Sequence, residues 1–184
     1  YAFLKQDITS VIIPESVTSI GSYAFGECYR LSEVEIPSTL TTISSGAFKD
    51  CGLRSITIPE GVTTIGSFAF SETGLLEVRL PKSLTFIDEY AFDCDNLKQV
   101  VYAGTPENWN KVNIAATNNG SIKSAYIVYG ADIPDGLEFK LKGNSYTITG
   151  YTGQSGELVI PGKIGLFPVT TIGIGAFSGN TTIE

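Results

Sequence analysis

Apolar and polar residues alternate in short runs that return at a fixed interval. Val34-Glu35-Ile36, Ile56-Thr57-Ile58 and Val78-Arg79-Leu80 each set two apolar residues around one polar residue. Period two predicts a short strand with its first and third side chains inward. Glu35, Thr57 and Arg79 then point to solvent, in a row with Ile12 and Val101 from neighbouring runs. A proline closes each run, because it cannot donate the next ladder hydrogen bond. Pro14, Pro37, Pro59 and Pro81 recur at a near-constant spacing. Shortly after each comes a second apolar pair, Val17/Ile20, Leu40/Ile43, Val62/Ile65 and Leu84/Ile87, which predicts a second inward segment. An Ala-Phe pair follows at Ala24-Phe25, Ala47-Phe48, Ala69-Phe70 and Ala91-Phe92, with an earlier copy at Ala2-Phe3. Alanine suits a crowded corner, and phenylalanine fills the interior with a large ring. Ile8, Leu31, Leu53, Leu75 and Leu97 then lead into the next strand.

A constant period of roughly 20–29 residues is the signature of a leucine-rich-repeat solenoid. One coil cannot bury its apolar side alone, so coils stack, with equivalent strands about 4.8 Å apart in a parallel sheet. The combination Ile-Pro-x-x-Val-x-x-Ile-x-x-x-Ala-Phe-x-x-Cys-x-x-Leu resembles the BspA-like class of bacterial leucine-rich repeats. The match runs from Tyr1 to about Tyr102, and a degenerate copy returns near the C-terminus. The expected fold is a right-handed, β-rich solenoid with few short helices.

The array is expected to end near Ala103. Gly104-Thr105-Pro106-Glu107-Asn108-Trp109 breaks the pattern. Thr105 is placed to cap a short helix that starts at Pro106, with Glu107 favoured by the helix dipole. Trp109, the single tryptophan, is expected to pack over the open end of the array, and the alternative is a tryptophan that stacks on sugar. Residues 116–121 are rich in Asn and Gly and predict a loop. Ala125 to Tyr129 predicts a last strand on the array edge. Residues 1–130 thus form an array with a cap at about 104–130, and the boundary falls in 130–135.

Leu137 to Thr149 alternates on both sides of Gly143-Asn144, which predicts a hairpin. The repeat resumes at Leu158-Val159-Ile160-Pro161, Val169 to Gly173 and Ala176-Phe177. The stretch 162–168 separates Pro161 from Val169, where only Glu60 and Gly61 separate Pro59 from Val62. This insertion is expected to be a loop. Residues 131–184 read as a hairpin plus the first coil of a second array. The chain starts at Tyr1-Ala2-Phe3 and stops at Thr182-Ile183-Glu184, each inside a repeat, so a monomeric segment of a longer protein is the expectation.

Composition narrows the function. The net charge is −7 and the pI about 4.6, which argues against nucleic acid, a ligand that needs a basic stripe. No apolar run reaches the roughly 20 residues of a membrane helix. There is no histidine, hence no Ser-His-Asp or Cys-His machinery, and no zinc site or other cofactor is expected. Asp88/Glu89 and Asp93/Asp95 fall on turns rather than facing each other across a cleft. Asp93-Cys94-Asp95-Asn96 lacks the spacing of a calcium loop. Cys28 and Cys51 recur at one repeat position and read as small core residues, as does the shifted Cys94; a Cys28–Cys51 disulfide is the alternative. Tyr23, Phe68 and Tyr90 precede Ala-Phe pairs and predict a second aromatic ladder. The sequons at Asn119 and Asn180 are read as chance.

The chain therefore reads as a non-enzymatic recognition module. The resemblance implies a secreted or surface-exposed bacterial protein that adheres to host proteins, matrix or other surface proteins. The candidate interaction face is Glu35, Thr57 and Arg79, with Arg54, Glu77 and Lys98 beside it. A structural spacer with no ligand of its own is the alternative.

Overall fold

The Ala-Phe corner sets how the coils stack. In this computed structural model, which describes residues 1–153 and 157–181, the residue before each Ala-Phe pair has a left-handed backbone: Tyr23, Gly46, Phe68 and Tyr90. So does the second residue after Phe, at Lys5, Glu27, Asp50 and Glu72. The alternation of hand turns every second amide along the solenoid axis. Phe25 N donates to Ala47 O at 3.0 Å, Phe48 N to Ala69 O at 2.9 Å and Phe70 N to Ala91 O at 2.9 Å. Glu27, Asp50 and Glu72 donate in the same way to Lys49, Ser71 and Asp93. Left-handed backbone is costly for residues with a Cβ, and these inter-coil bonds offset it.

The rings queue as the repeat requires. Phe3, Phe25, Phe48, Phe70 and Phe92 stack with centroids 5.1–5.6 Å apart and planes within 17°. Offset stacking adds about 0.5–1.5 kcal/mol per pair beyond burial. The outer aromatic ladder is interrupted. Tyr1 stacks on Tyr23 at 5.6 Å and Phe68 on Tyr90 at 4.6 Å, but Gly46 stands between the pairs. A side chain at Gly46 would strike the Tyr23 ring, and its φ of +63° also favours glycine.

Along the chain the elements are β1 (Ser10–Ile12), β2 (Glu33–Glu35), β3 (Thr42–Ile43), β4 (Ser55–Thr57), β5 (Thr64–Ile65), β6 (Glu77–Leu80), β7 (Phe86–Ile87) and β8 (Gln99–Tyr102). Then come α1 (Pro106–Trp109), β9 (Asn113–Ile114), α2 (Gly120–Ser124), β10 (Tyr126–Tyr129) and a 3-10 turn (Gly130–Asp132). The chain continues with β11 (Leu137–Lys142), β12 (Ser145–Tyr151), β13 (Lys163–Ile164) and β14 (Phe167–Ile172). The first strand of each coil forms one parallel face: β1 pairs with β2, and β4, β6, β8 and β10 pair in series. The second inward segments form another parallel sheet, β3-β5-β7-β9. Leu31, Leu53, Leu75, Ile43, Ile65 and Ile87 are wholly buried between them. The fold is the expected solenoid.

Cys28, Cys51 and Cys94 are buried and free. Cys28 and Cys51 donate their thiols to Phe3 O at 3.0 Å and Phe25 O at 3.1 Å. Burial pushes the Cys51 and Cys94 thiols up to about 12.

The cap matches expectation in part. Thr105 Oγ1 accepts from Asn108 N, and the Asn108 side chain accepts from Thr105 N, a reciprocal capping box. Trp109 is half-buried beside Tyr102, with rings 5.1 Å apart. β10 joins β8 in parallel register, from Tyr126 on Gln99 to Tyr129 on Tyr102. Residues 116–121 are not simply a loop, because α2 begins at Gly120 and buries Ile122. Asn119 does what sequence reasoning missed. It is wholly buried; its Oδ1 accepts from Phe92 N at 3.3 Å, and its amide donates to Asp88 O at 2.8 Å and Ala115 O at 3.2 Å. A side chain thus replaces the Ala carbonyl that a further coil would offer.

The hairpin β11–β12 turns at Gly143 and Asn144 as expected, and β12 pairs in parallel with β14. The insertion at 162–168 is not a loop but an antiparallel ribbon, β13 on β14, with Ile164 and Phe167 buried. The final corner repeats the earlier backbone: Gly175 and Gly179 flank Ala176-Phe177 with positive φ. The repeat remnant expected at Thr182-Ile183-Glu184 lies outside the described residues.

Candidate functional site

The strand face of the array carries three ladders. The inward one is monotonous: Val11, Val34, Ile56, Val78, Val100 and Ile127. The two outward ladders vary. One runs Ser10, Glu33, Ser55, Glu77, Gln99 and Tyr126; the other runs Ile12, Glu35, Thr57, Arg79, Val101 and Val128. Interior positions meet the same neighbour above and below, so packing fixes them. The outward positions answer to whatever covers them.

The C-terminal sheet, in the order β11-β12-β14-β13, covers the face from β6 onward. Leu137, Phe139, Leu141, Tyr146 and Ile148 form one apolar cluster with Leu76, Val101 and Val128 of the array. This corrects the expectation that the whole outward ladder meets solvent. Glu77 is 1% exposed, and the Arg79 side chain keeps 20%. Glu35, Arg54, Thr57 and Lys98 are exposed, as expected.

The covered polar groups pair tightly. Arg79 Nε donates to Glu77 Oε1 at 3.0 Å. Gln99 Nε2 donates to Glu77 Oε2 at 3.0 Å, and the Tyr146 hydroxyl donates to that same oxygen. Gln99 Oε1 accepts from Leu166 N, on the β13–β14 turn, at 2.7 Å. The Arg79 guanidinium also lies 3.8 Å above the Phe139 ring, a favourable cation–π geometry. Burial pushes the Glu77 carboxyl up, and Arg79 holds it back. Burial lowers the Arg79 guanidinium, and Glu77 opposes that. Arg79 Nη2 is buried with no hydrogen-bond partner among the described residues.

Tyr146, Gln99 and the β13–β14 turn were not singled out from the sequence. Two signals were there. The outward ladder changes from polar to apolar at Val101 and Val128, which marks the covered stretch. Tyr146 lies on the inward side of an alternating hairpin, where a buried hydroxyl needs a partner.

The uncovered half, β1, β2 and β4, borders a groove of about 380 Å³. Its floor includes Ile12, Glu35 and Thr57, and its far wall is Arg79, Phe139 and Leu141. Ile12 is 75% exposed, a large apolar side chain in the open. Lys140 reaches across to Glu33 at 3.9 Å, with both side chains mostly in solvent, so the pair contributes little. Among the described residues no cluster of His, Cys, Asp or Glu is placed to hold a metal ion. No helix among them is long and apolar enough to cross a membrane.

Stacked coils of near-constant length, two parallel sheets and a buried phenylalanine column define a leucine-rich-repeat protein. The BspA type leucine rich repeat region matches in six copies over residues 1–128. The chain belongs to this family. Solved structures similar to it include the following three. A leucine rich cell surface protein from Faecalibacterium prausnitzii A2-165 is 38% identical, with a TM-score of 0.56, over 58% of this chain and 29% of that one. A leucine-rich repeat protein from Eubacterium ventriosum is 25% identical, with a TM-score of 0.45, over 56% of this chain and 34% of that one. One from Bacteroides ovatus is 19% identical, with a TM-score of 0.32, over 71% of this chain and 58% of that one. The chain thus spans about a third or less of the first two proteins. No curated protein matches it.

Proposed function

We propose that the chain is a non-enzymatic protein-interaction module of a bacterial surface or secreted protein. It binds host, matrix or other surface proteins through the open half of its strand face. In this reading 1–130 is the recognition array with its cap, and 131–184 is a second module that starts another array. The observation that carries the proposal is the exposed outward ladder Ile12, Glu35 and Thr57, held on the successive strands β1, β2 and β4 with apolar and charged groups side by side. Arg54 and Lys98 lie in the open beside that sheet. The similar Faecalibacterium protein is described as a cell surface protein, which supports the location.

Glu77 and Arg79 do not serve in this reading as ligand contacts, because they hold the C-terminal sheet. The test is binding of the purified chain to a panel of matrix and surface proteins by interferometry. Saturable binding that falls on Glu35→Lys or Arg54→Glu, with the fold intact by circular dichroism, is the expected result. Binding that ignores both substitutions would reject this face.

The spacer is a second reading, favoured by one observation. The contact between the array face and the C-terminal sheet is continuous and hydrogen-bonded, as a stiff joint requires. A panel with no binder at all would leave that reading standing.

A further inference from the structure

The C-terminal sheet stops part-way across the array. Its outer strand is β11, which among the described residues is paired on one side only, with β12. Tyr146 of β12 meets Gln99 and Glu77, whereas Phe139 of β11 meets Arg79 and Lys140 reaches Glu33. The free edge of β11 therefore faces β4, β2 and β1. The groove occupies the place where the next strand of the C-terminal layer would lie. Its volume is within the roughly 300–1,000 Å³ of natural ligand sites.

We propose that this groove takes an extended peptide segment of a partner protein, added as a strand to the free edge of β11. The inference rests on the interaction reading above and names its site and ligand chemistry. An unpaired strand edge offers a row of amides and carbonyls, and an added strand satisfies them. Side chains then fix the choice of peptide. On the floor, Ile12 and Glu35 are register partners on adjacent strands. A lysine or arginine turned inward lays its methylenes on Ile12 and brings its charge to Glu35. On the outer face of β11, Glu138, Lys140 and Lys142 are exposed, so acidic residues opposite the two lysines, and a basic one opposite Glu138, are favoured across the new strand pair. The ligand is thus a strand that alternates basic and acidic residues, not a purely apolar helix.

The probe is a phage-displayed library of random octapeptides selected on the full chain. Selected peptides are then synthesised and titrated by calorimetry. The expected peptides alternate in charge. They bind Ile12→Lys about tenfold or more weakly, a loss of ~1.4 kcal/mol, and bind Ile174→Lys as they bind the unaltered chain. Ile174 is fully exposed and does not line the groove. Amide exchange within β11 slows on binding. Failure of the library to yield a specific peptide overturns the proposal. So does equal affinity for Ile12→Lys, or protection that falls outside β11. Peptides that ignore Ile12→Lys but are lost on Arg54→Glu would sink the groove and leave the interaction reading intact.

Discussion

The two halves of the array's strand face are built on one repeat and differ in what lies above them. Under β1, β2 and β4 the inward residues are Val11, Val34 and Ile56; under β6 and β8 they are Val78 and Val100. The outward residues share no such likeness. The open half shows Ile12, Glu35 and Thr57 to solvent, and the covered half buries Glu77, Gln99 and Val101 beneath a second sheet. The array interior is held by close packing, which tolerates little change in volume. The covered face is held by a polar network inside an apolar rim, and such a network depends on every member having its partner. The open half has neither constraint.

This contrast can be broken at several points. The largest effect is chemical. At pH 8, thiols held near 12 ionise to only about one part in ten thousand, roughly a thousandfold less than an ordinary thiol. Cys51 and Cys94 should resist alkylation in the folded protein, with labelling rising about tenfold per pH unit; time-resolved mass spectrometry reads this directly. Rapid labelling of both at neutral pH would contradict a packed interior.

Phe70→Ala removes the middle of the ring column and should cost about 3–5 kcal/mol in denaturant unfolding. Glu77→Gln leaves Arg79 without its counter-charge between two layers. The expected loss is about 3 kcal/mol, and the double replacement Glu77→Leu with Arg79→Leu should lose less than that single change. A larger loss in the double variant would mean that the pair itself, rather than burial of an uncompensated charge, holds the layers.

Gly46→Ala should cost about 1–3 kcal/mol, because the backbone is left-handed there and Tyr23 fills the space. The smallest effect belongs to the open half. Ile12→Lys should change stability by no more than about 0.5 kcal/mol, while it removes much of the peptide affinity. A large stability loss there would show the open half to be part of the core.

The candidate site was legible in part. Glu35, Arg54, Thr57 and Lys98 are exposed as their register predicts, because each lies beside a strand whose inward neighbours are fixed by the repeat. Glu77 and Arg79 obey the same register and are nevertheless covered. Their own coil does not announce the hairpin that arrives much later in the chain; the only trace is the change to apolar residues at Val101 and Val128, beyond them on the ladder. Asn119 was hidden in a segment rich in turn-forming residues, since a buried asparagine that finishes a hydrogen-bond ladder has no periodic signature.

The sequence by itself determined the solenoid, its ring column, the buried cysteines and the hairpin. Each follows from a pattern that recurs within one coil or between adjacent coils, where spacing translates directly into contact. Only the tertiary structure decided which part of the strand face stays open, because that depends on how one sheet docks on another. Docking is governed by surface fit and by the pairing of Glu77, Arg79, Gln99 and Tyr146, groups distant in the chain, and no local period encodes their meeting.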